Sequence, residues 1–419
     1  MTQEIAGGNF PDLLKPGFRV YLAGCGGQSA AFIRALEAQP KAAAGVSFCG
    51  VYIPGINTYD YSALNPTARM EVIFLQPSFR EGYEAGRIDY LPLPYVNTYR
   101  YYETGPQFDI ATVQVSPPDA DGNCSLGIAA DFSPAALANC KTVVAHINPN
   151  MPVTSAPKLP LKSFDYWFEE DTPLLAVPDS GESKTLNTIA EIIAEAIPNG
   201  ASLQFGLGKL QNCLVRALTG HKNLKIHSGM IADPVIALAA SGALATATGT
   251  ITTGVALGEQ ALYEWCANNP LIQFAPVGYT HQTRTLQAVP AMHCINSAME
   301  VDLLGQANGE TINGKQVSGC GGLVDFGRGA RLSDGGRFIL ATPATAAGGT
   351  VSRIVPMLDG RTPVSIARQD IDCVVTEYGL ADLRHKSVQQ RAEALIAIAA
   401  PQFRESLARE WRDSMVKWL

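Results

Sequence analysis

A short apolar, strand-like run that ends in a glycine-rich turn and passes directly into a helical pattern occurs twice in this chain, and no other feature narrows the fold as much. In the first copy, FRVYLA (18–23) is followed by Gly24-Cys25-Gly26-Gly27-Gln28-Ser29 and then by AAFIRALEA. In the second, about 180 residues later, Ser202 to Phe205 leads into Gly206-Leu207-Gly208-Lys209-Leu210-Gln211-Asn212 and the helix-like CLVRAL. Glycine lets the backbone turn sharply or approach a ligand closely, and a helix start behind it offers amides with no partner inside the helix. Two such units predict an α/β fold built from two similar doubly wound domains. The intervening β-like runs EVIFL near 71, ATVQV near 111 and TVVAHI near 142 alternate with helical or loop segments, as strands of a parallel sheet do.

The second half repeats the logic with strand-like LKIHS, LIQFAPV, HCINSAMEVDL, RFILAT and DCVVTEY, and closes on helical patterns through residue 419. Between the halves, the proline-bearing stretch 148–183 has no sustained period until TLNTIAEIIAEAIP resumes a helix, which sets a boundary near residue 185 and domains of 1–185 and 186–419. A length of 419 residues suits two cores rather than one.

Composition then removes several classes of function. Hydrophobic residues at 47% against 16% charged residues leave no disordered tail, and 38 acidic against 31 basic residues without a Lys/Arg cluster argue against nucleic acid as a partner. An anionic ligand must therefore be met by local donors. The opening MTQEIAGGNFPDLLKPG lacks a basic segment followed by an apolar core, and no apolar run reaches the roughly 18–20 residues of a membrane span, so a cytoplasmic protein with no membrane partner is expected. Nine scattered cysteines without a CxxC pair write neither a disulfide framework nor a zinc knuckle, and six dispersed histidines without HExxH argue against a metal hydrolase.

The first loop invites a dinucleotide reading, because Gly24 and Gly26 follow a strand and precede a helix. Ser29 at the third glycine position oppose that reading, as does the absence of an acidic residue at the end of GVSFCGVYI. A tight turn and a set of amides presented to a ligand both stay open there. The second loop, at a predicted helix N-terminus, suits an anion such as a pyrophosphate, and Lys209 adds either a charge to that site or a solvated surface group. In HCINSAMEVDLLGQ (293–306), Glu300 interrupts an otherwise apolar run. It is either a buried carboxylate with a task, or one of two water-facing residues, with Asp302, on an edge strand. Gly319-Cys320-Gly321-Gly322 followed by Asp325-Phe326 supplies possible amide donors elsewhere in the chain.

Taken together, VSPPDADGNCSLG (115–127), INPNMPVT (147–154), GLGKLQN, INSAMEVDLLGQ, GGLVDFGRGA from Gly321 and VVTEYGLADLRHKSVQQRAEALIAIAAPQFR resemble the acetyl-CoA hydrolase/transferase family over nearly the whole chain. The resemblance implies a CoA-transferase fold of the NagB/RpiA-like kind, and transfer of coenzyme A between an acyl-CoA and a short carboxylic acid such as 4-hydroxybutyrate, butyrate, acetate, succinate or itaconate. It implies no metal and a homo-oligomeric assembly. Carried over position by position, Glu300 is the nucleophile that bears CoA as a thioester, Gly206, Leu207, Gly208, Lys209 and Leu210 bind CoA together with Gly321, Gly322 is an oxyanion amide donor, and Gly27 in the Gly26-Gly27-Gln28 turn is a second donor.

The chain departs from the family's pattern at Gln211, where proline is common, at Gly229, where an acidic residue is usual, and at Ala347, where a lysine is usual. The first is expected to alter little. Removing a negative charge at 229 favours acids with a second carboxylate, and the missing lysine at 347 removes a phosphate contact. Two rival readings use parts of the same set. A hydrolase would admit water to the glutamyl thioester, and a CoA-binding sensor would keep the loops without needing Glu300.

Overall fold

A computed structural model describes residues 2–416 except Asp179, Ser180, Glu182 and Leu207. The chain separates into two compact units, one made of Met1–Pro178 with Gly229–Asp233 and Ala247–Thr280, the other of Asp179–Ser228, Pro234–Thr246 and His281–Leu419.

The first unit is organised by an eight-stranded sheet. From one edge to the other it runs Gln3–Glu4, Tyr166–Glu169, Cys140–Ile147, Phe108–Val115, Arg19–Tyr21, Ser47–Cys49, Arg69–Val72 and Ile88–Tyr90. All seven pairings are parallel. A parallel sheet is covered on both faces, and the buried Val20, Phe48, Met70, Ile110 and Val144 pack with Phe32 and Leu36 of the helix Ala30–Ala38. Chain order reverses at one place. From Arg19–Tyr21 successive strands go outward through 47–49, 69–72 and 88–90, and the chain then returns to the other side of Arg19–Tyr21 with Phe108–Val115. The carboxyl ends of strands at such a switch point open into a crevice where α/β proteins take their ligands, and the loop 24–29 leaves from it.

In the second unit the strands Ser202–Phe205, Met292–Ser297, Arg337–Ala341 and Cys373–Thr376 lie side by side in parallel, with Gly379–Asp382 added antiparallel at the edge. On its other side Ser202–Phe205 pairs in parallel with the start of Lys225–Ile231. Met292, Cys294, Phe338, Leu340 and Val374 pack beneath helices that contribute Leu395 and Trp411. Here too the order reverses, this time between Ser202–Phe205 and Met292–Ser297, and the loop 206–211 leaves from that point.

One strand-like run breaks. The apolar HCINSAMEVDL does not form a single strand: Met292–Ser297 ends the sheet segment, and Glu300–Asp302 joins a separate three-stranded sheet between Ala307–Asn308 and Ile354–Val355. The break carries Glu300 out of the large sheet and onto a hairpin. Among the described residues no helix is long and apolar enough to cross a membrane.

Candidate active site

The loop after Ser202–Phe205 enters the helix Lys209–Ala217 through Gly208, whose φ of +120° is closed to residues with a side chain. Gly208, Lys209, Leu210 and Gln211 then form one wall of a cavity of about 260 Å³, which Met299, the residue before Glu300, and Arg353 line from other elements. Leu207 lies outside the described residues. Gly206 sits between the end of the strand and the cavity-forming turn, half-buried. The elements on either side of the loop are tied to the neighbouring strand Met292–Ser297 by side-chain amides: Gln211 Nε2, in the first turn of the helix, donates to Ser297 Oγ at 3.2 Å, and Gln204, in the strand, exchanges hydrogen bonds with Asn296 at 2.8 and 3.3 Å. Gln211 therefore does more than substitute silently for a proline. Arg353 donates through one guanidinium nitrogen to Met299 O at 3.2 Å, while its Nε is buried and has no hydrogen-bond partner among the described residues. A nine-residue helix N-terminus, an exposed lysine and an arginine thus line one cavity of this acidic chain, a set of groups whose chemistry suits an anion.

Glu300 is half-buried, and Asn308 faces it across the antiparallel pair. Asn308 is fully buried, and its amide has one possible orientation. Its Oδ1 accepts from the Glu310 and Thr311 N–H groups at 3.0 and 2.9 Å, which leaves Nδ2 to donate to Thr311 O at 2.8 Å and to Glu300 Oε2 at 3.1 Å. One carboxylate oxygen of Glu300 is thus fixed by a neutral donor. Asp302 behaves otherwise. Its side chain is fully buried, and its oxygens collect the Leu304, Gln306 and Leu358 N–H groups and Gln306 Nε2 at 2.8 to 3.3 Å, closing the hairpin turn. Burial raises the Asp302 carboxyl above the usual range, against the pull of those donors. The reading in which Glu300 and Asp302 share a water-facing edge is therefore wrong: the turn at 303–305 draws Asp302 inward as a structural acceptor.

Gly321, at φ +53°, and Gly322 precede the helix Leu323–Leu332. The Glu300 hairpin abuts this helix start, since a Cβ on Gly309 would meet Leu323 Cδ2 at 3.3 Å. A Cβ on Gly322 would stand 2.6 Å from His281 Nε2, so the imidazole occupies the place of a side chain. His281 is buried and packs on Phe326 with ring centres 4.4 Å apart. Burial, and then the charge His227 would carry, lower its pKa to about 3. In an unfolded chain the same group titrates near 6.5, so between these values the unfolded state takes up a proton that the folded state refuses. Stability is therefore lost as pH falls from about 6.5 toward 3, at up to roughly 1.4 kcal/mol per pH unit from this group. Urea unfolding followed from pH 6.5 to 4 is expected to show a shallower loss for His281→Asn than for the unchanged protein; parallel curves would contradict this.

In the first unit, Gly27 belongs to the turn 25–27, where its N–H donates to Gly24 O at 2.9 Å. Ser29, which stands where a dinucleotide loop has glycine, is the N-cap of Ala30–Ala38: its Oγ accepts the Phe32 N–H at 3.4 Å and meets His146 Nδ1 at 2.9 Å. A helix cap explains that serine. Asn308, His281 and Arg353 had no signature in the sequence. Only Asn308, eight residues beyond Glu300 across the Leu-Leu-Gly-Gln turn, could have been found, by reading that turn as a hairpin.

Two family models cover most of the chain: the acetyl-CoA hydrolase/transferase N-terminal domain over residues 7–177 and the C-terminal domain over 258–411. The 4-hydroxybutyrate coenzyme A transferase of Clostridium kluyveri is 36% identical over 401 residues, 94% of each chain. The succinyl-CoA:cyclohexane-1-carboxylate CoA transferase of Geobacter metallireducens is 34% identical, over 91% of this chain and 88% of its own. Among solved structures, RipA from Yersinia pestis superposes with a TM-score of 0.91 at 28% identity, covering 99% of this chain and 98% of that one.

Proposed function

This chain belongs to the acetyl-CoA hydrolase/transferase family, and from that premise we propose that it transfers coenzyme A between an acyl-CoA and a short carboxylic acid, with Glu300 as the carrier. The observation that carries the proposal is the half-buried Glu300 carboxylate, held by Asn308 Nδ2 at 3.1 Å, next in the chain to Met299, which lines the same cavity as Gly208, Lys209 and Arg353.

Exchange between two carboxylates is nearly thermoneutral, so a covalent relay suffices. A Glu300 oxygen attacks the thioester carbonyl, the C–S bond breaks, and CoA leaves as thiolate from a mixed anhydride. The thiolate then attacks the Glu300 carbonyl and expels the first acid as its carboxylate, leaving the glutamyl-CoA thioester. The acceptor carboxylate reverses both steps. A carboxylate is a weak nucleophile, and holding it against the thioester supplies up to roughly 7–11 kcal/mol. Asn308 performs part of that positioning through a neutral donor, which fixes the carboxylate without the stronger pull of a cation.

Gly206 to Leu210, Gly321 and the Lys209/Arg353 pair hold the CoA moiety in this scheme, and binding energy from that distant end helps lower the barrier at the carbonyl. Gly322 presents an amide to each oxyanion. Gly27 does the same if its N–H is shared with Gly24 O in a three-centre bond. The assembly is a homo-oligomer.

The test is CoA turnover from acetyl-CoA and succinyl-CoA, with and without a panel of acetate, butyrate, 4-hydroxybutyrate, succinate and itaconate. Transfer to at least one acid should exceed the acid-free release of CoA by about two orders of magnitude or more, the scale of one strong transition-state effect. Equal rates with and without acid would make the protein a hydrolase.

A further inference from the structure

The turn that carries Gly27 is held by one side chain the family reading leaves without a role. Asn57 is buried, and its Oδ1 accepts two backbone N–H groups, from Cys25 and Ile53, each at 3.0 Å. Those two donors settle which end of the amide is oxygen. Nδ2 then donates to Cys25 O at 3.2 Å and to Gln28 Oε1. Asn57 is itself held from behind, since Gln76 Nε2 donates to Asn57 O at 2.9 Å. Both peptide groups flanking Cys25 are thus clamped, and Cys25 sits at φ +49°, a left-handed conformation that a non-glycine residue keeps only when its surroundings enforce it. Because Gln28 Oε1 is taken by Asn57, Nε2 is the end of the Gln28 amide that remains for a ligand. Gln28 lines a cavity of about 460 Å³ together with Ile56, Thr58, Tyr59, Leu64 and Leu175.

We infer that Asn57 is a positioning residue: it locks the Cys25–Gln28 turn and turns the Gln28 amide so that a hydrogen-bond donor, not an acceptor, meets the carbonyl or carboxylate oxygen of a substrate in that cavity. The inference rests on the CoA-transferase reading. Asn57→Asp separates the two jobs of the side chain. It keeps an oxygen for the Cys25 and Ile53 N–H groups and places a second oxygen against Cys25 O and Gln28 Oε1. The repulsion at Gln28 is relieved when its amide reverses, which presents Oε1 to the cavity, while the repulsion at Cys25 O stays and loosens the turn.

The experiment measures kcat, KM for the acyl-CoA and the melting curve for the unchanged protein, Asn57→Asp, Gln28→Ala and the double variant. Asn57→Asp should lower kcat about 100-fold, the cost of misplacing a reacting group by about an ångström, with KM for the CoA thioester changed less than about threefold. The double variant should be no slower than Asn57→Asp alone, because the reversed Gln28 amide has nothing left to lose. Multiplicative losses, or a kcat within about threefold of the unchanged protein despite a lowered melting temperature, would overturn the inference. Should Asn57→Asp fail to melt cooperatively, Cys25→Gly with Asn57→Ala removes the left-handed cost at residue 25. That pair should fold and turn over slowly, and adding Gln28→Ala should cost nothing further; a further loss overturns the inference equally. No turnover in the unchanged protein would overturn the transferase reading and this inference with it, whereas an active protein insensitive at Asn57 removes the inference alone.

Discussion

Replacing Glu300 by Ala is expected to lower CoA transfer by about four orders of magnitude or more, the scale seen when a covalent nucleophile is removed. The binding of CoA should change little, because the residues assigned to the nucleotide end, Gly208 to Leu210 and Arg353, line a cavity on other elements. The fold should survive, since Glu300 is half-buried and, among the described residues, its side chain makes one hydrogen bond, to Asn308. Asp302→Ala provides the contrast. It removes a buried acceptor of four donors from the same hairpin, so it should lower stability by roughly 2–4 kcal/mol before it bears on chemistry. Steady-state rates for both variants, beside CoA affinity by calorimetry and urea unfolding, separate a lost nucleophile from a damaged hairpin. A Glu300→Ala protein that keeps more than about a tenth of the rate would remove Glu300 from the mechanism.

Gly322→Ala should have the next largest effect. The added methyl would lie 2.6 Å from His281 Nε2 and 2.7 Å from its Cδ2, inside any permitted contact, and the imidazole is buried against Phe326. The turn 321–322 must move instead, and with it the amide proposed to meet the oxyanion. Losing one such donor costs about 10²–10³ in kcat, so a fall of that size is expected with KM for the acyl-CoA nearly unchanged. The double change Gly322→Ala with His281→Ala vacates the imidazole's space and should recover about tenfold or more of the lost rate. No recovery would mean that the turn does not serve the reaction through its position against His281.

The parts of this account that were legible in the sequence are those in which one residue type answers a backbone demand. Gly208 at φ +120° and the paired strand, turn and helix units are of that kind, and the two glycine-rich loops legible in the sequence are the ones that leave the sheets where strand order reverses. Glu300 stood out because a carboxylate in an apolar run needs a reason. Spacing misled at Asp302. Alternation across a strand puts residues i and i+2 on one side, but the strand is only three residues long and the turn that follows recruits the Asp302 carboxylate for its own N–H groups. The same shortness hid the break at 298–299 that takes Glu300 out of the main sheet. His281, Arg353 and Asn57 were invisible because each acts across a long sequence separation: His281 comes 41 residues before Gly322, and Asn57 reaches back 32 residues to Cys25. A histidine or an asparagine in a loop carries no periodicity that would single it out. Gln211, expected to be neutral, turned out to hold Ser297, a contact a proline has no donor to make.

The central claim is that Glu300 carries the CoA, and trapping that intermediate tests it most directly. Incubation with an acyl-CoA in the absence of any acceptor acid should leave the glutamyl thioester standing, and borohydride should reduce it to an alcohol at residue 300, since a thioester yields to hydride and a free carboxylate does not. Peptide mass spectrometry should then find the modification on Glu300 in step with the loss of transferase activity, and nothing in the Glu300→Ala protein. Reduction at another acid, such as Asp302 or Asp325, or full activity after treatment with no modified residue 300, would contradict the account.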